Sequence, residues 1–138
     1  MKKNIWITQQ VYFPDEVAGA YLITRLAEGL TRFYNVKVLC GNPLYNAKGT
    51  KVPKNEKVNG VKIKRCFSSS LDKNKFIYRA INLTTISISI FINCLIKLKK
   101  NDIVLVVTTP PTLPIFVLVA CKLKRAKCIL KIDDLYPE

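Results

Sequence analysis

The chain contains no histidine, and this absence excludes several kinds of catalytic and metal site. A Ser-His-Asp or Cys-His nucleophile system needs an imidazole to accept the proton, so neither system can be assembled here. Metal sites with histidine ligands are excluded for the same reason. Acidic residues are also few: 9 Asp plus Glu stand against 23 Lys plus Arg, and the formal charge is +14 at pH 7.

Glycine and proline are sparse as well, with 5 and 7 residues in a chain of 138, and no segment is of low complexity. This composition excludes the collagen-like and intrinsically disordered classes of protein. Because 49% of the residues are hydrophobic, a chain of this length can bury a core without disulfide or metal cross-links. We expect one domain.

The five cysteines do not predict a disulfide framework, because their number is odd and none of them forms a C-x-x-C pair. Each lies within or at the end of an apolar run, where a free thiol behaves as a small hydrophobic side chain. A reducing cytoplasm is therefore expected. The apolar stretch at the N-terminus is too short for a signal peptide, and we expect the chain to start in its first strand.

Apolar patterns predict strands and helices that alternate along the chain. Short apolar or alternating runs predict strands at residues 4–8, 36–40, 61–66, 103–107 and 128–132. Helical spacing predicts a helix that begins after Gly19 and includes Phe33, and another over residues 113–124. Residues 44–59 are polar and rich in lysine, and we interpret them as a long loop. The strand at 61–66 should bury one face, and those at 103–107 and 128–132 both faces.

Residues 76–98 give two conflicting signals. Their centre, I-S-I-S-I at 86–90, alternates as a strand would. A run of this length without glycine or proline is, however, several times longer than a usual strand of about five to six residues. Length therefore favours a helix.

The order of these elements predicts an α/β fold, a Rossmann-like parallel sheet with helices on both faces. In such folds, ligands bind in the crevice at the carboxyl ends of the strands. The segments that reach this crevice are residues 8–19, 40–45, 108–111 and 133–138.

Four short motifs at these segments and in the first helix are similar to those of one enzyme family. They are Y-F-P-D-E-V-A-G at 12–19, L-A-E-G-L at 26–30, T-P-P at 109–111 and D-L-Y-P-E at 134–138. In this order they resemble the Y-F-P-P-E-x-G-G, L-A-E-G-L, S-P-P and D-L-W-P-E motifs in the N-terminal domain of family 4 glycosyltransferases. Four positions depart from that pattern: Asp15, Ala18, Asp133 and Tyr136.

The resemblance implies the N-terminal half of a GT-B fold, with residues 1–138 as a single acceptor-side domain that is incomplete at its C-terminal end. The family's second domain, which carries an E-x7-E motif, has no counterpart in this chain. The implied activity is retaining and metal-independent transfer from a nucleotide-sugar, which is a co-substrate, so no cofactor is expected. The implied acceptor is lipid-linked or a saccharide of cell-surface polysaccharide synthesis, as in the colanic acid and fucosamine transferases.

Residues of the first loop are expected to contact the donor. The N-terminus of the helix after Gly19 presents backbone N–H groups and a positive dipole end, which stabilise a diphosphate. Through the resemblance we place Glu16, Ala18, Gly19 and Thr109 at the nucleotide-sugar. Gly19 has the alternative role of relieving a tight turn. For Thr109 we prefer the alternative that it ends a strand and starts a helix.

Asp134 is our candidate for the group that accepts a proton or hydrogen bond from the acceptor hydroxyl, and Glu138 is the second candidate. A glycosidase pair made of Asp133 and Asp134 is disfavoured, because neighbours on a strand point to opposite faces. The alternative for Asp134 is that it caps a turn before Pro137.

Charge and apolar surface suggest a peripheral position at the inner face of the cytoplasmic membrane. The 17 residues from 80 to 96 carry no charge, and lysines follow them. We prefer a helix that lies on the lipid surface to one that spans it, and an ordinary helix packed on the sheet remains open. A non-catalytic membrane-docking subunit of a split glycosyltransferase is the alternative function. Nucleic-acid binding is not expected, because none of its motifs is visible despite a pI of about 9.8.

Overall fold

The computed structural model describes residues 3–9, 12, 18–41, 53–66, 76–107 and 113–131. Within these ranges the chain forms strands and helices that alternate for most of its length. In chain order they are β1 (Lys3–Thr8), α1 (Ala18–Leu30), β2 (Tyr34–Cys40), β3 (Asn55–Val58), β4 (Val61–Arg65), α2 (Phe76–Lys97), β5 (Ile103–Val107), α3 (Leu113–Lys124) and β6 (Lys127–Lys131).

The strands form one six-stranded sheet in the order β3-β4-β2-β1-β5-β6. All neighbouring pairs are parallel except β3 and β4, which are antiparallel. The chain proceeds from β1 outward to β2 and β4, then returns to β5 on the other side of β1. The predicted Rossmann-like α/β fold is confirmed.

Helices cover both faces of the sheet, as predicted. Alternate side chains of β1 pack on opposite faces of the sheet. Ile5 and Ile7 belong to one buried cluster with Ile23 of α1. Trp6 belongs to a second cluster, which includes Ile90 of α2 and Val117 of α3. We call these two sides the α1 face and the α2/α3 face. The two faces divide because successive side chains of a strand point to opposite sides.

Helix α2 confirms that length, rather than alternation, decides the structure of residues 76–97. Two of its hydroxyl side chains bond back to the helix: the Ser87 hydroxyl donates to the Leu83 carbonyl at 2.9 Å, and the Thr85 hydroxyl donates to that of Ile81 at 2.6 Å. These bonds satisfy the hydroxyls without leaving the helix. Ser87 can therefore be fully buried beside Ile86 and Ile90.

The prediction of a continuous loop at 44–59 is wrong for residues 55–58, which form β3. Asn59 and Gly60 connect β3 to β4, with φ of 51° and 85°. Two successive residues with positive φ make the tight turn that suits a two-residue hairpin. The Asn-Gly pair between Val58 and Val61 is the sequence signal of that hairpin, and the sheet is consequently not wholly parallel.

Strand β6 is also less buried than predicted. Ile129 and Leu130 are each about half exposed, at 50% and 51%, whereas β5 is buried along most of its length. Among the described residues β6 is the edge of the sheet, and only one neighbouring strand covers it. The apolar run correctly predicts a strand, but the edge position of that strand reduces its burial.

The first helix ends at Leu30, earlier than its apolar spacing predicts. Residues 31–33 form a turn, and Phe33 is exposed to solvent. The Thr31 hydroxyl donates to the Glu28 carbonyl at 2.6 Å and so satisfies one of the last helical carbonyls. Phe33 continued the helical spacing by chance.

Candidate functional site

The candidate site is the carboxyl edge of the sheet beside β1. Here the chain order reverses, because β2 lies on one side of β1 and β5 on the other. The connections that leave β1 and β5 lead to opposite faces, α1 to one and α3 to the other. Such a reversal opens a crevice at the ends of the two strands, where ligands of α/β proteins bind.

The structure describes part of the predicted donor-binding set. Ala18 and Gly19 are the first two residues of α1, which follows β1 in the chain. The N–H groups of the first helical turn have no partner within the helix, so they are available to an anion. Glu16, Thr109, Asp134 and Glu138 lie outside the described residues. Of the motif at 12–19, the structure describes Tyr12 and residues 18 and 19, and residues 13–17 lie outside.

Three polar or ionisable side chains form a row across the strand ends, which we call the carboxyl row: Gln9, Cys40 and Arg65. Cys40 and Arg65 are register partners in β2 and β4. Gln9 follows the Thr8–Leu39 pair, and its N–H donates to the Leu39 carbonyl at 3.1 Å. Neighbouring strands are about 4.8 Å apart, so the row spans roughly 10 Å. Alternation places all three side chains on the α1 face.

Gln9 is buried and has an unused hydrogen-bonding group. The residue is 3% exposed, and its Oε1 atom has no hydrogen-bond partner. A buried carbonyl without a partner costs about 1 to 3 kcal/mol. Such an atom is a place where a ligand can contribute the missing donor, for example a hydroxyl or an N–H.

Arg65 is buried and has its charge compensated. Its Nη1 atom lies 2.8 Å from Glu56 Oε1 and donates to the Pro53 carbonyl at 2.9 Å. Both partners come from the β3 side, so the hairpin holds the guanidinium at the strand end. Arg65 therefore stabilises this corner of the sheet and adds little net charge for a ligand.

The row also contacts the segment between β1 and α1 through Tyr12, which is almost fully buried. Burial raises the pKa of the Tyr12 phenol well above its usual range, and nearby Cys40 and Glu28 raise it further. Burial likewise raises the pKa of the Cys40 thiol to about 12. Both groups are neutral at pH 7, and neither is a nucleophile there.

Sequence reasoning missed Gln9 and Arg65. The V-K-I-K-R pattern of β4 contained the signal for Arg65, because alternation places it on the same face as Val61 and Ile63. Gln9 carried no signal beyond its place after an apolar strand. Its burial depends on Leu39, which binds it from a distant part of the chain.

The remaining thiols are structural, with one exception. Burial raises the pKa of Cys66 to about 11 and that of Cys94 to about 12. Cys128 on β6 differs: a hydrogen bond from the Cys121 thiol lowers the pKa of Cys128 and raises that of Cys121. Within the described ranges, no group of three or more His, Cys, Asp or Glu side chains is placed to hold a metal ion.

Comparison with known proteins adds no information on function to the fold and the geometry of the carboxyl edge. No family model matches the chain, and neither a curated protein nor a solved structure matches it. The resemblance to glycosyltransferases therefore stays a prediction that depends on the four motifs.

Proposed function

We propose that this chain is the acceptor-side domain of a glycosyltransferase that uses a nucleotide-sugar and acts in cell-surface polysaccharide synthesis. The unpartnered Gln9 carbonyl at the end of β1, together with the start of α1 at the same edge, is the observation that carries this proposal. The Rossmann-like fold and the four motifs support it. The fold and three of the motifs indicate the same location, because the motifs at 12–19, 109–111 and 134–138 each follow the carboxyl end of a strand in the chain.

A nucleotide-sugar has the two kinds of group that this edge can bind. Its diphosphate accepts hydrogen bonds from the first-turn N–H groups of α1 and gains from the helix dipole. Its hydroxyls donate hydrogen bonds, and the Gln9 Oε1 atom is a buried acceptor without a partner. Burial of that acceptor makes the contact selective, since a ligand without a donor leaves it unsatisfied.

During transfer the leaving diphosphate gathers negative charge. Donors that are already oriented toward it stabilise the transition state more than the ground state, and this lowers the barrier. Gly19 lies in the first turn of α1, where the absence of a side chain permits a close approach of the phosphate. By resemblance, Asp134 or Glu138 accepts the proton or hydrogen bond of the acceptor hydroxyl.

A lipid-linked acceptor requires a position at the membrane, and the outer surface of the helices fits one. Five isoleucines of α2 form an exposed stripe at helical spacing: Ile77, Ile81, Ile88, Ile92 and Ile96. Helix α3, which packs beside α2, also has exposed apolar residues: Ile115, Leu118, Val119 and Leu123. Neither helix contains an acidic residue, and both end in lysine. An apolar surface with a basic rim is complementary to an anionic bilayer.

Helix α2 is long and apolar enough to cross a membrane by length and composition, with 22 residues and a mean hydropathy of 1.5. Its inner residues, however, complete the core of the α2/α3 face: Ile86, Ile90 and Cys94 have no exposed surface. Insertion across the bilayer would remove these contacts from the sheet. We therefore favour a peripheral helix at the inner membrane face.

The test is a transfer assay with the protein from its whole reading frame, a panel of labelled nucleotide-sugars and a membrane lipid extract. We expect Gly19→Val to lower turnover by at least about tenfold, because donors to the leaving diphosphate are disturbed. Asp134→Ala should lower it by about a hundredfold or more if that carboxylate is the base.

Gly29→Val is the matched control, because Gly29 lies in the same helix and a Cβ there meets nothing within 4 Å. Full activity of Gly19→Val, or equal losses in both glycine variants, would contradict a role for the start of α1. Absence of transfer from every donor in the panel would reject the enzymatic function.

A non-catalytic membrane-docking subunit is the second candidate, favoured by the same apolar surface on α2 and α3. It predicts vesicle binding without transfer until a separate catalytic chain is added. Co-purification with such a chain, followed by reconstitution of activity, would distinguish it from the first proposal.

A further inference from the structure

A second cleft lies on the α2/α3 face, away from the carboxyl row. It has a volume of about 430 Å³ and is lined by residues of β1, β2, β3 and β4 and by the end of α2. Five lysines line it, and we call it the lysine cleft: Lys37, Lys57, Lys62, Lys64 and Lys97. Trp6 also lines the cleft, and the Lys37 ammonium is 4.9 Å from the centre of the Trp6 ring.

Strand register brings three of these lysines side by side. Lys57 of β3 is the partner of Lys62 in β4, and Lys62 is the partner of Lys37 in β2. Partners share a face of the sheet and lie about 5 Å apart, and like charges directly opposite each other are destabilising. Lys64 follows two residues after Lys62 on the same face, and Lys97 approaches from the end of α2.

Acidic side chains do not compensate this charge within the described part of the chain. Glu56 is the one acidic residue that lines the cleft, and its carboxylate is paired with Arg65 on the other face. Partial burial lowers the pKa of Lys97, and the adjacent Lys64 and Lys37 lower it further. The sheet thus holds repelling cations together at a cost to its own stability.

We propose that the lysine cleft binds a ligand with clustered phosphates, such as a diphosphate group. Ammonium groups bind phosphate as point charges, and several of them together favour a multiply charged anion. The volume suits a small phosphorylated group rather than a folded partner. An anion in the cleft would offset the repulsion between the lysines. Anion binding would therefore explain why lysines occupy paired positions on neighbouring strands.

This site is separate from the proposed catalytic edge. The carboxyl row faces α1, whereas the lysine cleft faces α2 and extends along the middle of the strands. Loss of one site should therefore leave the other intact. Binding to the cleft does not depend on the chain being a glycosyltransferase.

The single tryptophan provides the measurement, because Trp6 lines the cleft and is the only tryptophan in the chain. Inorganic pyrophosphate is titrated against the intrinsic fluorescence at constant ionic strength. We expect a saturable change. The double variant Lys62→Gln, Lys64→Gln should bind pyrophosphate at least about tenfold more weakly. It should unfold no more easily than the parent chain, because one source of repulsion is removed.

The control variant, Arg25→Gln with Arg32→Gln, removes the same charge from the α1 side of the molecule. Its pyrophosphate affinity should change less than about twofold. Equal weakening in both double variants would overturn the proposal, since only net charge would then matter. Absence of any saturable response to phosphate-bearing probes would overturn it as well.

Vesicles separate a soluble source of the phosphate from a lipid source. Phosphatidylcholine vesicles with and without phosphatidic acid are added to the same two variants. A response that needs phosphatidic acid and is lost in the cleft variant supports a lipid headgroup as ligand, and pyrophosphate should compete with it. A response to pyrophosphate alone supports a soluble ligand. A single-stranded oligonucleotide that binds the cleft more tightly than either probe would overturn the assignment.

Discussion

At the residue scale, the buried polar groups divide into those with partners and those without. Asp102 accepts hydrogen bonds from Trp6 Nε1 and from the Lys99 N–H, both at 3.1 Å, and so joins β1 to the turn before β5. Gln9 has no such partner for Oε1. The Asp102 hydrogen bonds stabilise the fold. The unpartnered Gln9 carbonyl lowers stability, and a ligand that donates a hydrogen bond to it would explain why it is present.

Gln9→Met tests this difference. The methionine has a similar shape and removes the unsatisfied carbonyl, so we expect the free energy of unfolding to rise by about 1 kcal/mol. The same change should weaken nucleotide-sugar binding, because the acceptor for a hydroxyl is lost. Urea denaturation measures the stability, and calorimetric titration of the whole protein measures the binding.

Thr8→Val is the matched change at the adjacent buried position. The Thr8 hydroxyl donates to the Leu105 carbonyl at 3.5 Å, so its removal should bring no gain in stability. A Gln9→Met variant that is less stable than the parent by more than about 1 kcal/mol would mean that Oε1 contributes to the fold.

At the scale of elements, α2 has two apolar faces with different surroundings. Ile86 and Ile90 pack on the sheet, whereas Ile88 and Ile92 lie at 41% and 49% exposure on the opposite side. A surface helix of a soluble protein usually places polar residues there. The second apolar face is therefore suited to contact with an apolar partner. The lysines near its end favour an anionic bilayer as that partner.

Ile92→Glu should reduce binding to phosphatidylglycerol vesicles by about tenfold or more, because it removes apolar surface and adds a repelling charge. Its free energy of unfolding should change by less than about 0.5 kcal/mol, since the position is on the surface. Vesicle flotation at several lipid concentrations gives the partition constant.

Leu22→Glu on α1 makes the same chemical change on the opposite side, at a residue that is 59% exposed. It should leave vesicle binding nearly unchanged. Equal losses in the two variants would indicate attraction by net charge alone and would reject a docking surface on α2.

Some elements can be predicted from their local sequence, and others cannot. The length of the apolar run predicted α2, and its burial pattern agrees with a helix on a sheet. The hairpin was missed because β3 is short and lysine-rich, although Asn59 and Gly60 formed a clear turn signal. The reduced burial of β6 had no local signal, because it depends on which strands lie beside it.

At the scale of the whole molecule, buried thiols make stability depend on pH. Cys40 lies in the core of the α1 face, and Cys66 and Cys94 in that of the α2/α3 face. Their pKa values rise from 9.0 to about 12, 11 and 12. Above pH 9 the unfolded chain loses these protons while the folded chain keeps them, so folding becomes less favourable as pH rises.

We expect the free energy of unfolding to fall by about 4 kcal/mol between pH 8 and pH 10, because each of the three thiols contributes about 1.4 kcal/mol over this range. Cys121 and Cys128 share a hydrogen bond that raises the pKa of Cys121 and lowers that of Cys128, so their contributions to the pH dependence oppose each other. Urea denaturation under reducing conditions at pH 8, 9 and 10 gives the slope.

Cys94→Ala should reduce that slope by about one third, whatever its effect on stability at pH 8, because one of the three thiols no longer titrates. A slope that is the same in the variant and the parent chain would show that the thiols do not control the alkaline loss of stability.

The candidate site was predictable in location but only partly in composition. The alternation of strands and helices along the chain predicted the carboxyl edge, and helical spacing placed Gly19 near the start of α1. Gln9 and Arg65 emerged only from the folded structure. Their burial is set by Leu39 and by the hairpin that carries Glu56, and both lie far from them in the chain or on another strand.

By itself, the sequence determined the kind of each long element and which side chains of a strand share a face, because both follow from the spacing of residues within one segment. The tertiary structure alone decided which strands are neighbours. That choice placed Gln9, Cys40 and Arg65 in one row and Lys37, Lys57 and Lys62 in another. The register between separate segments depends on the packing of the whole core, and no local pattern encodes it.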